Sequence, residues 1–384
     1  TVTLSSADVN ILSVSGPVQI GSVAGGGQSL LVDASNEDVI FLGALAALND
    51  FEVVGGNVTF GGKVTATGAM GVTASGAITV NGAIDPTTVA MAADDGVALN
   101  ASVTAGASIF IQAGADGSGG ITQTAGVLTA PTINLVSADA IVGYAGTTTT
   151  GVATAASFIS AQAQNAGESV DIYNTVGAGN TVAITDLGAI GASVTFEEAT
   201  GAINLTGAIW TGNDSNNGGD VTLTAPQGIT VNNVISTESG AGGVLNVSGG
   251  VTINASPVIG AGDITLNGGS GGLVDIVVNA PIVSATTITL SAPQDVLINA
   301  LVKTTGAAAD VILITHTHYD HCSPDDIRRI STPETVIIGP ADSPAKLGKD
   351  TRTIAPGQTI SVGDITITAV PAYNLNKRYH PRQA

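Results

Sequence analysis

The run His316-Thr317-His318-Tyr319-Asp320-His321 packs four potential metal ligands into six residues. Imidazole nitrogen and carboxylate oxygen both suit Zn²⁺, and iron or manganese tolerates the same donors. A tight loop can aim alternate residues of such a run at two neighbouring ions. The placement is also local: three of the four histidines of the chain lie here, the last is His380, and residues 1–309 contain none. Thr317 and Tyr319 read as spacers, and Cys322 as a small packing residue. Two readings stay open for His380, in the polar stretch Asn376-Lys-Arg-Tyr-His-Pro381: a further ligand or substrate contact, or a solvated loop histidine.

The elements that would hold this run are short. Asp310-Val-Ile-Leu-Ile-Thr315 has the pattern of a buried strand that delivers the histidines at its C-terminal end. Ser323 is placed to cap a helix opening with Pro324 and with Asp325 and Asp326 in its first turn, where the helix dipole favours acids. Val336–Gly339 reads as a second strand, Ser343-Pro344 opens another short helix, and Ile360–Val370 reads as two strands joined at Gly363. The predicted order is β, α, β, α, β, β.

Residues 1–309 are unlike this. Gly, Ala, Thr, Val, Ile, Asn and Ser dominate, in alternating runs of four to eight residues punctuated by Gly or Asn-Gly. Alternation with frequent turn signals predicts an all-β region; the Ala-rich run around Leu42–Leu48 is the one stretch with some helical character. Ile229-Thr-Val-Asn232, Val251-Thr-Ile-Asn254, Ile276-Val-Val-Asn279 and Val296-Leu-Ile-Asn299 share one pattern, and Ile78-Thr-Val-Asn81 matches far upstream. Val221-Thr-Leu223, Ile264-Thr-Leu266 and Ile288-Thr-Leu290 lie between them. A period of about 20–25 residues predicts a solenoid. Its coils would ladder Val, Ile and Leu inward and turn Thr, Ser and Asn to water, with Gly and Asn at the corners and Asn side chains stacking there. Coils about 4.8 Å apart would make a rod of roughly 65 Å.

Gly120-Ile-Thr-Gln-Thr-Ala-Gly-Val-Leu-Thr-Ala-Pro-Thr-Ile-Asn-Leu135, with Gly219-Asp-Val-Thr-Leu-Thr-Ala225 and Gly228-Ile-Thr-Val-Asn232, resembles the repeats of filamentous-haemagglutinin-type bacterial exoproteins. That resemblance implies a right-handed parallel β-helix, an adhesive role and an extracellular or bacterial cell-surface location. Strand, HxHxDH and capped helix, with Cys322-Ser-Pro-Asp-Asp-Ile-Arg-Arg329 and Val370-Pro-Ala-Tyr-Asn374, resemble the metallo-β-lactamase superfamily and its lactonase-related hydrolases. By that resemblance His316 and His318 bind a first metal, Asp320 and His321 a second, Asp320 doubles as a candidate catalytic residue, and His380 is the remaining candidate for the first ion. The expected cofactor is zinc, one or two ions, with a metal-bound water as nucleophile. A complete domain of that superfamily has two similar halves; residues 310–384 correspond to the first, truncated, and its ligand set is expected to be incomplete.

The fold expected is therefore mostly β: a β-solenoid over 1–309, then a partial α/β metallo-β-lactamase fragment over 310–384. Residues 1–309 carry 22 acids against Lys63 and Lys303, so the whole net charge of −20 resides there. Such a surface disfavours nucleic acid and anionic lipid and suits divalent cations. No apolar run is long enough to span a bilayer, and with Cys322 alone no internal disulfide forms. The chain opens at Thr1 without a leader, as a fragment or processed chain would. The first functional reading is an extracellular stalk or adhesin ending in a metal-binding half-site without turnover. The alternatives are a zinc hydrolase of an ester, lactone or phosphodiester, completed by a longer parent chain or a partner, and a join of two unrelated fragments. Bare sheet edges invite self-association. Within the solenoid, Asp94-Asp95 and Glu197-Glu198 are adjacent and would point to opposite faces of a strand. Asn213–Asp220 is a polar turn with calcium-type oxygen donors, and Trp210 is a packing aromatic or a ligand platform.

Overall fold

The chain divides into two units, Thr1–Lys303 and Thr304–Ala384. The computed structural model describes residues 2–4, 7–13, 15–143, 151–211, 219–237, 245–248, 251–253, 258–260, 264–267, 276–284, 287–292, 296–304, 311–318, 321–331, 334–347, 351–363 and 365–370.

The first unit is a parallel β-solenoid, as the repeats predict. Val18, Val39, Val58, Ile78, Val97, Ile121, Ile141, Val170, Val194, Val221, Leu245, Ile264 and Ile288 stand one above the next in parallel register. Where burial is described, the apolar side chains of this stack exclude water from it, and burial of a Val or Ile is worth about 1.5–3 kcal/mol. Alternation does the sorting: in Thr88–Ala93 the burial runs outward, inward, outward, and Val89, Met91 and Ala93 enter the core. Near the start the core is widened by aromatics. Phe41 and Phe60 stack in register with centroids 5.2 Å apart, and Phe51 meets them edge-on at 5.4 and 6.1 Å.

The repeated triplets stack as read from the sequence: Ile229 on Val251, Val251 on Ile276, Ile276 on Val296. Ile78-Thr-Val-Asn81 does not join that row. It lies in the other sheet, between Val58–Phe60 and Val97–Leu99, because an inward–outward–inward triplet followed by a turn fits either sheet equally well. Asparagine ladders form at the corners: Asn100 Nδ2 donates to Asn81 Oδ1 at 2.8 Å, Asn232 to Asn204 at 2.7 Å, and Asn299 to Asn279 at 2.8 Å. The Leu42–Leu48 run is not helical. Leu45–Leu48 is a strand whose Ala47 takes φ 55°, and the register with Val64–Ala66 shifts there. Burial of Leu45 and Leu48 against neighbouring coils outweighs the helix preference of alanine, which is the highest of any residue but amounts to less than about 1 kcal/mol per residue.

The coil changes its cross-section near residues 170–190. Upstream coils carry three strands each, such as Val58–Phe60, Val64–Ala66 and Ala69–Ala74. Val170–Asn174 then pairs with both Ile141–Val142 and Val152–Ala155, fusing two strands into one. Thr181–Ile190 in turn pairs with both Ala202–Leu205 and Ile209–Trp210. At this transition an inward polar ladder, Thr154–Asn174–Glu198, replaces aliphatic side chains over three successive coils.

Asp171 neighbours this ladder, and burial pushes its carboxyl above its ordinary value of 3.8 against the opposing effect of a hydrogen bond from Thr195. Below pH 3.8 the group is neutral whether folded or unfolded. As pH rises through the elevated folded value, the fold must hold a partly desolvated carboxylate and stability falls. Asp171→Asn is expected to raise the melting temperature at pH 7 and to leave it unchanged below pH 3.8, read by circular dichroism melts at both pH values. An equal shift at both would refute the electrostatic cause.

The second unit has a three-stranded parallel sheet, Val311–Leu313, Val336–Gly339 and Thr351–Thr353, and an antiparallel hairpin, Thr359–Val362 with Ile365–Thr368, turning at Gly363 with φ 54°. The helices Pro324–Ile330 and Ser343–Leu347 lie where their opening residues place them, and Ser323 Oγ accepts from Asp326 N. Thr351–Thr353 is a strand that the sequence reading omits; its side chains are mostly exposed, so no alternation of apolar residues marks it. Ile314, Cys322, Ile327 and Ile337 form the buried core, with Ile312 and Leu347 against it. Among the described residues no helix is long and apolar enough to cross a membrane.

Candidate metal centre

The histidine run begins just past the strand Val311–Leu313, which is not the buried strand its sequence suggests: Val311 and Ile312 are half-buried and Leu313 is exposed, because only one face of this three-stranded sheet is covered by the small core. Ile314 N donates to Ile338 O at 2.8 Å, which carries the pairing with Val336–Gly339 one residue past the strand, and Ile314 is buried. The chain then leaves the sheet, and the amides of His321 and Cys322 both donate to the carbonyl of His318, at 3.0 and 2.8 Å. This closes a tight turn that folds His321 back toward His316. The ring centroids of His316 and His318 are 4.9 Å apart at 83°, and those of His316 and His321 are 4.2 Å apart at 42°. Thr315 Oγ lies 3.0 Å from His316 Nδ1. Cys322 is fully buried in the core, as its reading as a packing residue predicts. Asp320, Tyr319 and His380 lie outside the described residues.

Two imidazoles that share a tetrahedral zinc ion place their centroids about 5 Å apart, given Zn–N bonds of about 2.0–2.1 Å. The separation of His316 and His318 suits such a pair; His316 and His321 are closer than that. Among the described residues no group of three or more His, Cys, Asp or Glu side chains is disposed to hold a metal ion. Ring proximity and that absence bear on the same loop, and they are compatible. Two histidine rings of the described part lie close enough to share an ion, and no third candidate ligand stands with them among the described residues.

Thr317 is more than a spacer. Its hydroxyl donates to Asp342 Oδ2 at 2.6 Å, and the ammonium of Lys346 donates to its carbonyl oxygen. Both partners belong to the Ser343–Leu347 segment or the residue before it, so this helix grips the histidine loop from one side. The helix itself sits hard against the sheet. A Cβ on Gly339 would lie 2.6 Å from Ser343 Oγ and 3.1 Å from Ile314 Cβ, which explains glycine at that strand end. Ser343 is fully buried, and its hydroxyl has no hydrogen-bond partner among the described residues. The sequence signal for this clamp is slight: a hydroxyl residue between two histidines, and an acid ahead of Ser-Pro.

In the solenoid, Glu197 is exposed and Glu198 fully buried, so the pair does point to opposite faces. Asp94 and Asp95 fall in a turn rather than on a strand. Trp210 lies on the backbone of Gly188, where an added Cβ would come within 2.3 Å of its Cζ2. Residues 212–218 of the polar turn lie outside the described residues.

Residues 289–384 match the beta-lactamase superfamily domain. The matched stretch is a quarter of the chain and begins inside the strand Ile288–Ser291, so it takes in Val296–Ile298 and Val302–Thr304, strands that pair within the solenoid. No curated protein and no solved structure matches the chain. The protein is thus a parallel β-solenoid with a C-terminal region similar to the metallo-β-lactamase superfamily.

Proposed function

We propose that the protein is an adhesive solenoid displayed outside the cell, as filamentous-haemagglutinin-type exoproteins are, and that its C-terminal unit binds a divalent metal ion, zinc by preference, through His316 and His318. The observation that carries the metal reading is the 4.9 Å approach of those two rings just past the end of a strand. Asp320, His321 and His380 are the remaining candidate ligands within the chain. The acidic solenoid, with all of the net charge of −20, supports a role among cations and uncharged partners and counts against nucleic acid or an anionic membrane. Its single cysteine is consistent with an oxidising exterior, where free thiols are a liability.

A second reading, hydrolysis of an ester or lactone, is favoured by the family match. A bound zinc ion would supply a hydroxide at neutral pH by lowering the pKa of its water. The protein's part would be to hold His316 at the strand end and to keep the loop in place through Thr317.

Zinc titration by calorimetry, with zinc content measured by plasma emission, tests the first reading. The full chain is expected to bind zinc and His316→Ala,His318→Ala to lose it; equal zinc in both refutes the assignment. Motif-dependent turnover of lactone or phosphodiester substrates would replace the first reading with the second. Accessibility of the solenoid to protease added to intact cells tests its location.

A further inference from the structure

The chain has only six phenylalanines, and Phe41, Phe51, Phe60 and Phe196 are buried. The other two, Phe110 and Phe158, are 37% and 49% exposed. Both lie on the outward face of one sheet, on the strands Ser108–Ala113 and Phe158–Ala166, with Thr132–Ser137 between them. Register fixes their surroundings. Phe110 stands beside Asn134 and then Ser160, Phe158 beside Thr132, and Gln112 beside Val136 and then Gln162. The rings are thus two strands apart, about 10 Å, and offset by two residues along the strand.

On its other side each ring has a small neighbour, Ala90 beside Phe110 and Ala183 beside Phe158, and apart from Val136 the residues between the rings carry amides and hydroxyls. Two partly exposed rings on one face, flanked by small side chains and by hydrogen-bonding groups, make a platform on which a ligand can lie. Charge narrows the ligand. No lysine or arginine occurs between Lys63 and Lys303, so the face has no cation for a sulfate, phosphate or uronate. The nearest acid in register, Asp186, is already engaged by the Gln162 amide. A sugar ring meets the remaining description: one face of C–H groups to lie on an aromatic ring, and a rim of hydroxyls that donate and accept.

We infer that the face around Phe110 and Phe158 binds a neutral polysaccharide laid across the coils, its rings stacking on the two phenylalanines and its hydroxyls meeting Asn134, Ser160 and Gln162. The inference deepens the adhesive reading of the solenoid, on which it rests, by naming what is adhered to. Native electrophoresis of the full chain through gels containing hydroxyethylcellulose, galactomannan, xyloglucan or dextran, with dextran sulfate as the anionic control, tests it. Retardation is expected in at least one neutral gel and not in dextran sulfate. Phe110→Ala and Phe158→Ala should each weaken it by about tenfold, with the β signature in circular dichroism retained because the inward side chains of these strands, not the outward rings, build the core. No retardation in any neutral gel, or retardation undiminished in the double variant, overturns the inference. So does a concentration-dependent dimer in sedimentation that Phe110→Ala disperses, which would assign the face to a second copy. Attachment to whole cells that survives the double variant would remove the glycan and leave the adhesive reading standing.

Discussion

Glu198→Ala is expected to destabilise the middle of the solenoid by about 3 kcal/mol or more, because it strands buried donors rather than removing an apolar contact. The carboxylate is fully buried at the inward end of Val194–Glu198. Oε1 accepts from the backbone amides of Val176, Thr200 and Gly201 at 3.1, 3.0 and 3.0 Å, and from Thr200 Oγ at 3.2 Å. Oε2 accepts from Asn174 Nδ2 at 2.7 Å. Asn174 is committed elsewhere as well: its Oδ1 takes the Thr154 hydroxyl at 2.8 Å and Ala156 N at 3.0 Å, and its Nδ2 also reaches Ala156 O at 3.1 Å. Alanine at 198 leaves these donors facing a cavity with no acceptor. Glu198→Gln keeps one oxygen but turns an amide toward Asn174 Nδ2, donor against donor, so its effect should fall between wild type and alanine. Because each coil of a solenoid touches only its neighbours, the loss should be local. Hydrogen exchange is the suitable measurement: protection should collapse over residues 152–225 and persist over residues 58–113. Unchanged protection in Glu198→Ala would show that the ladder contributes nothing.

This ladder marks where the sequence stops being readable. The aliphatic stack was legible because one Val, Ile or Leu per coil recurs at a usable period, and the triplets at Ile229, Val251, Ile276 and Val296 stack as their pattern implies. Which of two sheets a triplet joins was not legible, as Ile78 shows, because both sheets impose the same alternation. The inward placement of Asn174 and Glu198 was not legible either: a lone polar residue at an inward position looks like an irregularity until its partners, 20 and 24 residues away in Thr154 and Glu198, are known. In the second unit the caps and turns were written locally, in Ser323-Pro324, Ser343-Pro344 and Gly363, and fold accordingly. The contacts of Thr317 join residues 25 and 29 positions apart, and no local pattern announces them.

Those contacts lead to the second large effect, on metal affinity. Given zinc bound at His316 and His318, Thr317→Val should weaken it by about 10–100-fold, the usual consequence of removing a partner that orients a ligand. Thr317 lies between the two histidines, so its hydrogen bond to Asp342 and the lysine on its carbonyl fix the backbone from which both imidazoles project. Valine preserves the shape and β-branching and deletes only the donated hydrogen bond. Asp342→Ala should act alike, whereas Asp342→Asn, which retains an acceptor oxygen, should recover most of the affinity. A purely structural role would lower the melting temperature of the metal-free protein in step with affinity. Orientation of the ligands predicts instead a loss of zinc affinity with little change in metal-free melting, and broadened imidazole resonances for His316 and His318. Wild-type zinc affinity in Thr317→Val, where His318→Ala abolishes binding, would show that the clamp does not position the ligands.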